Sequence, residues 1–361
     1  MKSSDHALPA AAVTMAAVLA SYGSALSLEH VARLHLDIVI EAVVLAVTVS
    51  RVLRSARLID RLISFAVLPP FAIGASEIGR MMSEHSNFGD ALFVIAMAAA
   101  IWVRRFGRSV SRASMLVAAP FVAVLILQGQ SAVVPFEAAP IWVGLVAFIC
   151  CLWVMVLQLL AARFGFDRPP HQTNTSSRRE RSPKNPPRKR IFDTRTRLAI
   201  QMALALAAAF CVGRVLWPGH WTWVVLTAFI VSSGARGRGD VIQKGLLRAG
   251  GAAVGTLVAT ELAGVLGART VGAVVLIFIV LGVATWLREI SYAYWAAGVT
   301  VAISLLYEWF GVSSQELLQV RLEGIAVGAV IGVASSWLVR PVRERDALRH
   351  LASGSPQPQV N

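Results

Sequence analysis

Residues 139–163, APIWVGLVAFICCLWVMVLQLLAAR, and residues 197–216, RLAIQMALALAAAFCVGRVL, are two apolar runs of membrane length. Between them lies HQTNTSSRRERSPKNPPRKR, residues 171–190, a stretch with no apolar periodicity. A helix of about 20 mostly apolar residues crosses a hydrocarbon core roughly 30 Å thick. A polar stretch rich in Ser, Pro, Arg and Lys cannot bury enough apolar surface to fold. The three pieces together read as membrane helix, disordered basic linker, membrane helix.

Working outward, the same apolar pattern recurs on both sides. Segments are expected near 7–26, 36–53, 60–81, 88–103, 113–130 and 139–163 before the linker. After it they are expected near 197–216, 220–234, 244–265, 269–287, 292–310 and 318–339. Composition agrees, with 56% hydrophobic and 15% charged residues and a mean hydropathy of +0.65. In hydrocarbon every backbone polar group must be bonded internally, which favours helices, and the alternation of a membrane β-barrel is absent. The expected fold is an all-α polytopic membrane protein of about twelve transmembrane helices. Its domains are a six-helix block over 1–164, a linker over 165–196, a second six-helix block over 197–342 and a tail over 343–361.

The net charge of +14 would suggest nucleic acid in a soluble chain. Here it reads as the positive-inside bias of cytoplasmic loops. With twelve helices and both termini inside, all but five of the 34 Lys and Arg fall on the inner side; the five are Arg33, Arg80, Arg214, Arg269 and Arg321. Trp217, Trp221, Trp309 and Phe310 on outer loops suit an interfacial aromatic belt. The linker's basic run suits anionic headgroups, so lipid is an expected partner and nucleic acid is not. The weak n-region, Lys2 with Asp5, favours a retained first helix over a cleaved signal.

The two blocks also resemble each other. VVLAVTVS at 43–50 parallels VVLTAFIVS at 224–232, and each runs into an Arg-rich turn and a long apolar helix. ALFVIAMAAAIWVRRFGRSVSRASMLVAA, starting at Ala91, parallels AVVLIFIVLGVATWLREISYAYWAAGVTV, starting at Ala273. An even helix number per unit gives two parallel six-helix repeats, with a pathway near their interface.

The second block carries more specific signs. His220-Trp221-Thr222-Trp223 opens a helix ending in Ser232-Ser233-Gly234, followed by Lys244-Gly-Leu-Leu-Arg248-Ala-Gly-Gly251 and Gly255-Thr256. Tyr292-Ala-Tyr294-Trp295 and Arg321-Leu-Glu323-Gly324 with Gly328 come later. This pattern resembles the fusaric acid resistance-like (FUSC-like) family of inner-membrane proteins, also grouped with aromatic acid exporters. The likeness is good over 197–342 and faint over 7–163. Ala252 stands where the family has Thr, and only a short linker replaces the larger soluble domain of many members. The resemblance implies efflux of small aromatic or other organic acids from a bacterial inner membrane, with a homo-oligomer or accessory efflux proteins as partners.

Candidate residues follow from chemistry. An anion exporter needs cations at the entrance, and a guanidinium matches a carboxylate bidentately. Arg248 and Lys244, with Arg288, supply them, although each could instead be a snorkelling anchor. Tyr292, Tyr294 and Trp295 can stack an aromatic body or form an interface belt. Arg321, Glu323, Glu261 and Glu308 fall at similar outer depth, which suits proton coupling at an exit or interfacial salt bridges. Gly251 and Gly255, then Gly324, Gly328 and Gly332, are spaced for close helix packing. Cys150, Cys151 and Cys211 lie in apolar segments and read as packing residues. No P-loop, metal-protease or nucleophile-elbow motif is present, so neither an enzyme nor a cofactor is expected. The reading is gradient-driven export; a passive anion channel and a non-transporting scaffold are its rivals.

Overall fold

A computed structural model describes residues 4–34, 36–54, 56–129, 139–164, 194–233, 238–263, 270–310 and 314–338. They form twelve α-helices and no strand. In the first block these are α1 (Ser4–Ala32), α2 (Asp37–Leu53), α3 (Leu58–Glu84), α4 (Ser86–Val103), α5 (Arg108–Gln128) and α6 (Pro140–Arg163). In the second they are α7 (Thr194–Leu216), α8 (Thr222–Ser232), α9 (Arg238–Ala263), α10 (Val271–Leu287), α11 (Tyr292–Trp309) and α12 (Ser314–Leu338). The linker expected over 165–196 lies outside the described residues except for the first turn of α7.

Local chemistry sets the helix ends. Pro140 opens α6, where its missing N–H costs nothing. Ser291 caps α11 by accepting from Ala293 N at 3.2 Å, and Thr270 caps α10 by accepting from Ala273 N at 3.3 Å. Between α4 and α5, a 3₁₀ turn at Arg104–Phe106 ends at Gly107, whose φ of 135° suits only glycine. Seven of the described helices are long and apolar enough to cross a membrane, and α8 and α10 are shorter apolar helices. The remainder are α2, α9 and α11.

In the first block α1 packs on α2 and α6, α2 on α5 and α6, α3 on α4, α5 and α6, and α4 on α5. In the second, α7 packs on α8 and α12, α8 on α9 and α12, α9 on α11 and α12, and α11 on α10 and α12. The blocks meet where α4 lies on α7, α1 on α10 and α5 on α8. Aromatic contacts stitch the α4–α7 seam: Phe93 stands edge-on to Phe121 and Phe210, at centroid distances of 5.3 and 5.6 Å. At the α1–α10 seam Tyr22 meets Phe278 at 4.8 Å.

Five glycines stand at close helix contacts. A Cβ on Gly251 would stand 2.6 Å from Ala293 O, and one on Gly255 would strike the Ala297 carbonyl, both on α11. Cβ atoms on Gly328 and Gly332 would come within 2.5 Å of Val224 O and 2.9 Å of Val231 Cγ1 on α8, and one on Gly324 within 3.0 Å of Trp223 Cβ. Cys150 and Cys151 are buried between helices, whereas Cys211 is exposed on α7.

Candidate functional site

A cavity of about 660 Å³ runs between the blocks. The first block contributes α1, α2 and α5 to its wall, and the second contributes α8, α9, α10 and α11. Most of the wall is aliphatic or aromatic: Val39, Val43 and Val47 face Phe278, Ile303 and Leu306. Cations gather at one end. Arg51 comes from the last turn of α2, Arg104 from the turn after α4, Lys244 and Arg248 from the start of α9, and Arg288 from the end of α10. No acid is among the described residues that line it. Volume and lining are those of a site for a drug-sized ligand, apolar with a few convergent polar groups.

The cations are held in different ways. Lys244 Nζ donates to the Ser233 carbonyl at the end of α8. Arg104 Nε donates to Ser114 Oγ at 2.8 Å, and that hydroxyl donates to Ala100 O. The Arg288 guanidinium sits 4.6 Å from the centroid of Trp295. Arg248 is only 2% exposed, and its Nε has no partner. Its electrostatic neighbours include the Tyr292 hydroxyl, which is also within reach of Arg51, and Arg321 on α12. Arg248, Lys244, Arg288, Tyr292 and Trp295 therefore converge on one space. Tyr294 does not; it is 51% exposed on the outer surface of α11.

Arg51 and Arg104 were not singled out by sequence. Each sat in an Arg-rich turn, where charge alone cannot tell an anchor from a wall residue. The first block is also less bland than its composition suggests. Among the described residues the buried acids Asp37, Glu41, Asp60 and Asp90 all lie there, whereas buried Arg248 and Arg321 belong to the second block.

Outside the cavity, the residues grouped by depth do not form one cluster. Arg321 is 4% exposed; it donates to Ser304 Oγ and to Thr300 O at 3.1 Å, and lies 4.2 Å from the Trp223 ring. Glu323 faces the other way, accepting from Trp217 Nε1 at 3.2 Å and Gln319 Nε2 at 2.8 Å. Glu261 is exposed near the end of α9, and Glu308 is half-buried near the end of α11. Arg214 forks onto Asp90 across the seam, with contacts of 2.5 and 2.7 Å, donates to Met82 O, and stacks 4.3 Å from Trp221. Tyr307 adds a second tie between blocks, donating to Gly129 O at 2.8 Å. His220 sits in the turn between α7 and α8, where burial holds its imidazole below the ordinary histidine range and keeps it uncharged at neutral pH.

Residues 204–335 match the family model described as fusaric acid resistance protein-like. The match begins in α7 and ends in α12, so it spans most of the second block and supports the resemblance read there. No curated protein and no solved structure gives a match. The second block is thus similar to fusaric acid resistance proteins, and with its apolar helices the chain is a multi-pass membrane protein.

Proposed function

We propose that this chain exports small organic acids, aromatic carboxylic acids foremost, across the bacterial inner membrane through the space between its two blocks. The observation that carries the reading is the apolar cavity with Arg51, Lys244 and Arg248 converging at one end. An apolar body partitions into the wall by the hydrophobic effect, while its carboxylate finds charge-assisted donors. Burial of Arg248 strengthens that attraction, because little water screens it.

The positive-inside bias makes the basic end cytoplasmic, so anions enter from the cell interior. Two parallel six-helix repeats fit the packing. The pairs α1–α2, α1–α6, α2–α6, α3–α5, α3–α6 and α4–α5 have counterparts in α7–α8, α7–α12, α8–α12, α9–α11, α9–α12 and α10–α11. The seams α4–α7 and α10–α1 exchange under the same rule. Such repeats place substrate at their interface. The sequence has no nucleotide-binding motif, so the proton gradient is the driving force in this reading. It involves no enzymatic step.

The test is efflux of a panel of aromatic and aliphatic acids from cells expressing the chain, with and without a protonophore. Lower accumulation on expression, reversed by the protonophore, is expected. Uncoupled, voltage-dependent current would replace export by a passive channel. No effect on any acid, with the protein verified in the membrane, would leave a scaffold.

A further inference from the structure

Three cations of the cavity crowd one small region. Lys244 and Arg248 are one turn apart on the same face of α9. Arg51 comes from the other block and lies within electrostatic reach of Lys244. The Tyr292 hydroxyl sits within reach of both Arg51 and Arg248. Arg104 and Arg288 flank this group but are engaged with Ser114 and Trp295. No carboxylate is among the described residues that line the cavity, and exposed Asp240, one turn before Lys244 on α9, reaches Lys244 electrostatically from outside that lining.

A charge in an apolar wall is costly, and Arg248 is too deep to escape to water, while half-buried Lys244 and exposed Arg51 bring further positive charge to the mouth of the same space. One carboxylate can satisfy one guanidinium fork. It leaves Arg51, the other block's cation, with no carboxylate in the lining to meet it. A head with two negative charges can meet Arg51 from one block and Arg248 from the other at once. The rest of the cavity, lined by residues such as Val43, Val47, Phe278 and Ile303, has room for a ring or short chain and offers it no charge.

We infer that the ligand of this cavity is a dianionic amphiphile: an aryl or alkyl body whose one end bears two negative charges, as in a vicinal dicarboxylate or a phosphate monoester. The inference rests on the transport reading above and sharpens its substrate class. Bridging the blocks through such a head also gives the ligand a means of drawing α2 toward α9.

The experiment uses the purified full-length chain in proteoliposomes preloaded with a radiolabelled acid that the efflux panel identifies. Benzoate, phthalate, phenyl phosphate and inorganic phosphate compete at about pH 7.5, where the carboxylic acids and the aryl phosphate are ionised. Phthalate and phenyl phosphate should compete at about tenfold lower concentration than benzoate, the gain expected of one further charge-assisted pair. Inorganic phosphate, lacking a body, should compete poorly. Arg51→Gln and Lys244→Gln should each shrink the phthalate-to-benzoate ratio toward unity, while Lys244→Arg should retain it. Comparing ratios within each variant removes differences in folded yield. Benzoate matching phthalate would overturn the dianion inference and leave organic-acid export standing. Competition by none of the acids would overturn both.

Discussion

Arg248 and Arg321 are the buried cations of the second block, and they differ in what surrounds them. Arg248 opens on the cavity, so removing it takes a counter-charge from the ligand. Arg248→Ala should abolish export while membrane insertion persists, and Arg248→Lys should restore it only in part because a lysine cannot form the bidentate fork. Normal efflux by the alanine variant would end its role. Arg321 instead donates to Ser304 and Thr300 and rests on Trp223, while Glu323 is held by Trp217 and Gln319. A double-mutant cycle between Arg321→Ala and Glu323→Ala, read by thermal stability, should give a coupling under about 0.5 kcal/mol. A coupling of several times that would mean an ion pair. Helix phase was not legible in the sequence. Residues two apart on a helix point to nearly opposite sides, which separates Arg321 from Glu323 and Tyr292 from Tyr294. The same limit hid Arg51: of the four arginines between 51 and 61, packing buries Arg61 and leaves Arg51 exposed along the cavity.

The helices themselves were legible because nothing else suits hydrocarbon. The run expected at 139–163 is α6 at Pro140–Arg163, and the one expected at 292–310 is α11 at Tyr292–Trp309. The larger shifts occur where polar residues extend a helix beyond the apolar run, as in α9, which starts at Arg238 rather than near Lys244. The α9–α11 contact offers a sharp test of why its glycines are there. Gly250 and Gly255 differ in surroundings: an added Cβ at Gly250 meets nothing within 4 Å, whereas at Gly255 it would strike the Ala297 carbonyl and crowd Thr300. Gly250→Ala should be neutral or stabilise slightly, since alanine restricts the unfolded chain. Gly255→Ala should force α9 away from α11 and cost about 1–3 kcal/mol, the range for overpacking a close contact. Thermal unfolding in detergent compares the two, and equal midpoints would mean the helices separate freely. Because Lys244 and Arg248 lie on the same helix, Gly255→Ala should also weaken competition by anions, which ties a packing residue to the site.

At the scale of the whole molecule, the two ends of the interface are built differently. Beyond the cavity, Asp90 and Arg214 form a two-contact ion pair across the α4–α7 seam, and Tyr307 bonds Gly129 across the gap between α11 and α5. At the basic end, Arg54 and Glu289 tie the blocks at 3.4 Å with both side chains substantially exposed. An exposed pair at that distance contributes little, whereas breaking a largely buried one costs about 2–3 kcal/mol once its partial exposure is allowed for. In the export reading proposed above, the buried tie seals the far end and the exposed one leaves the basic end easier to open. For alternating access, that seal must part once per cycle. Cysteines at Asp90 and Arg214, with exposed Cys211 replaced by serine, supply a pair that a short bis-maleimide can span. Asp90→Asn in parallel weakens the seal without closing it. Cross-linking should stop efflux yet leave anion binding from the basic end intact, while Asp90→Asn should lower thermal stability and raise leak of the anion. Undiminished efflux from fully cross-linked protein would mean that the path does not open at the α4–α7 seam, and that the blocks transport without moving apart there.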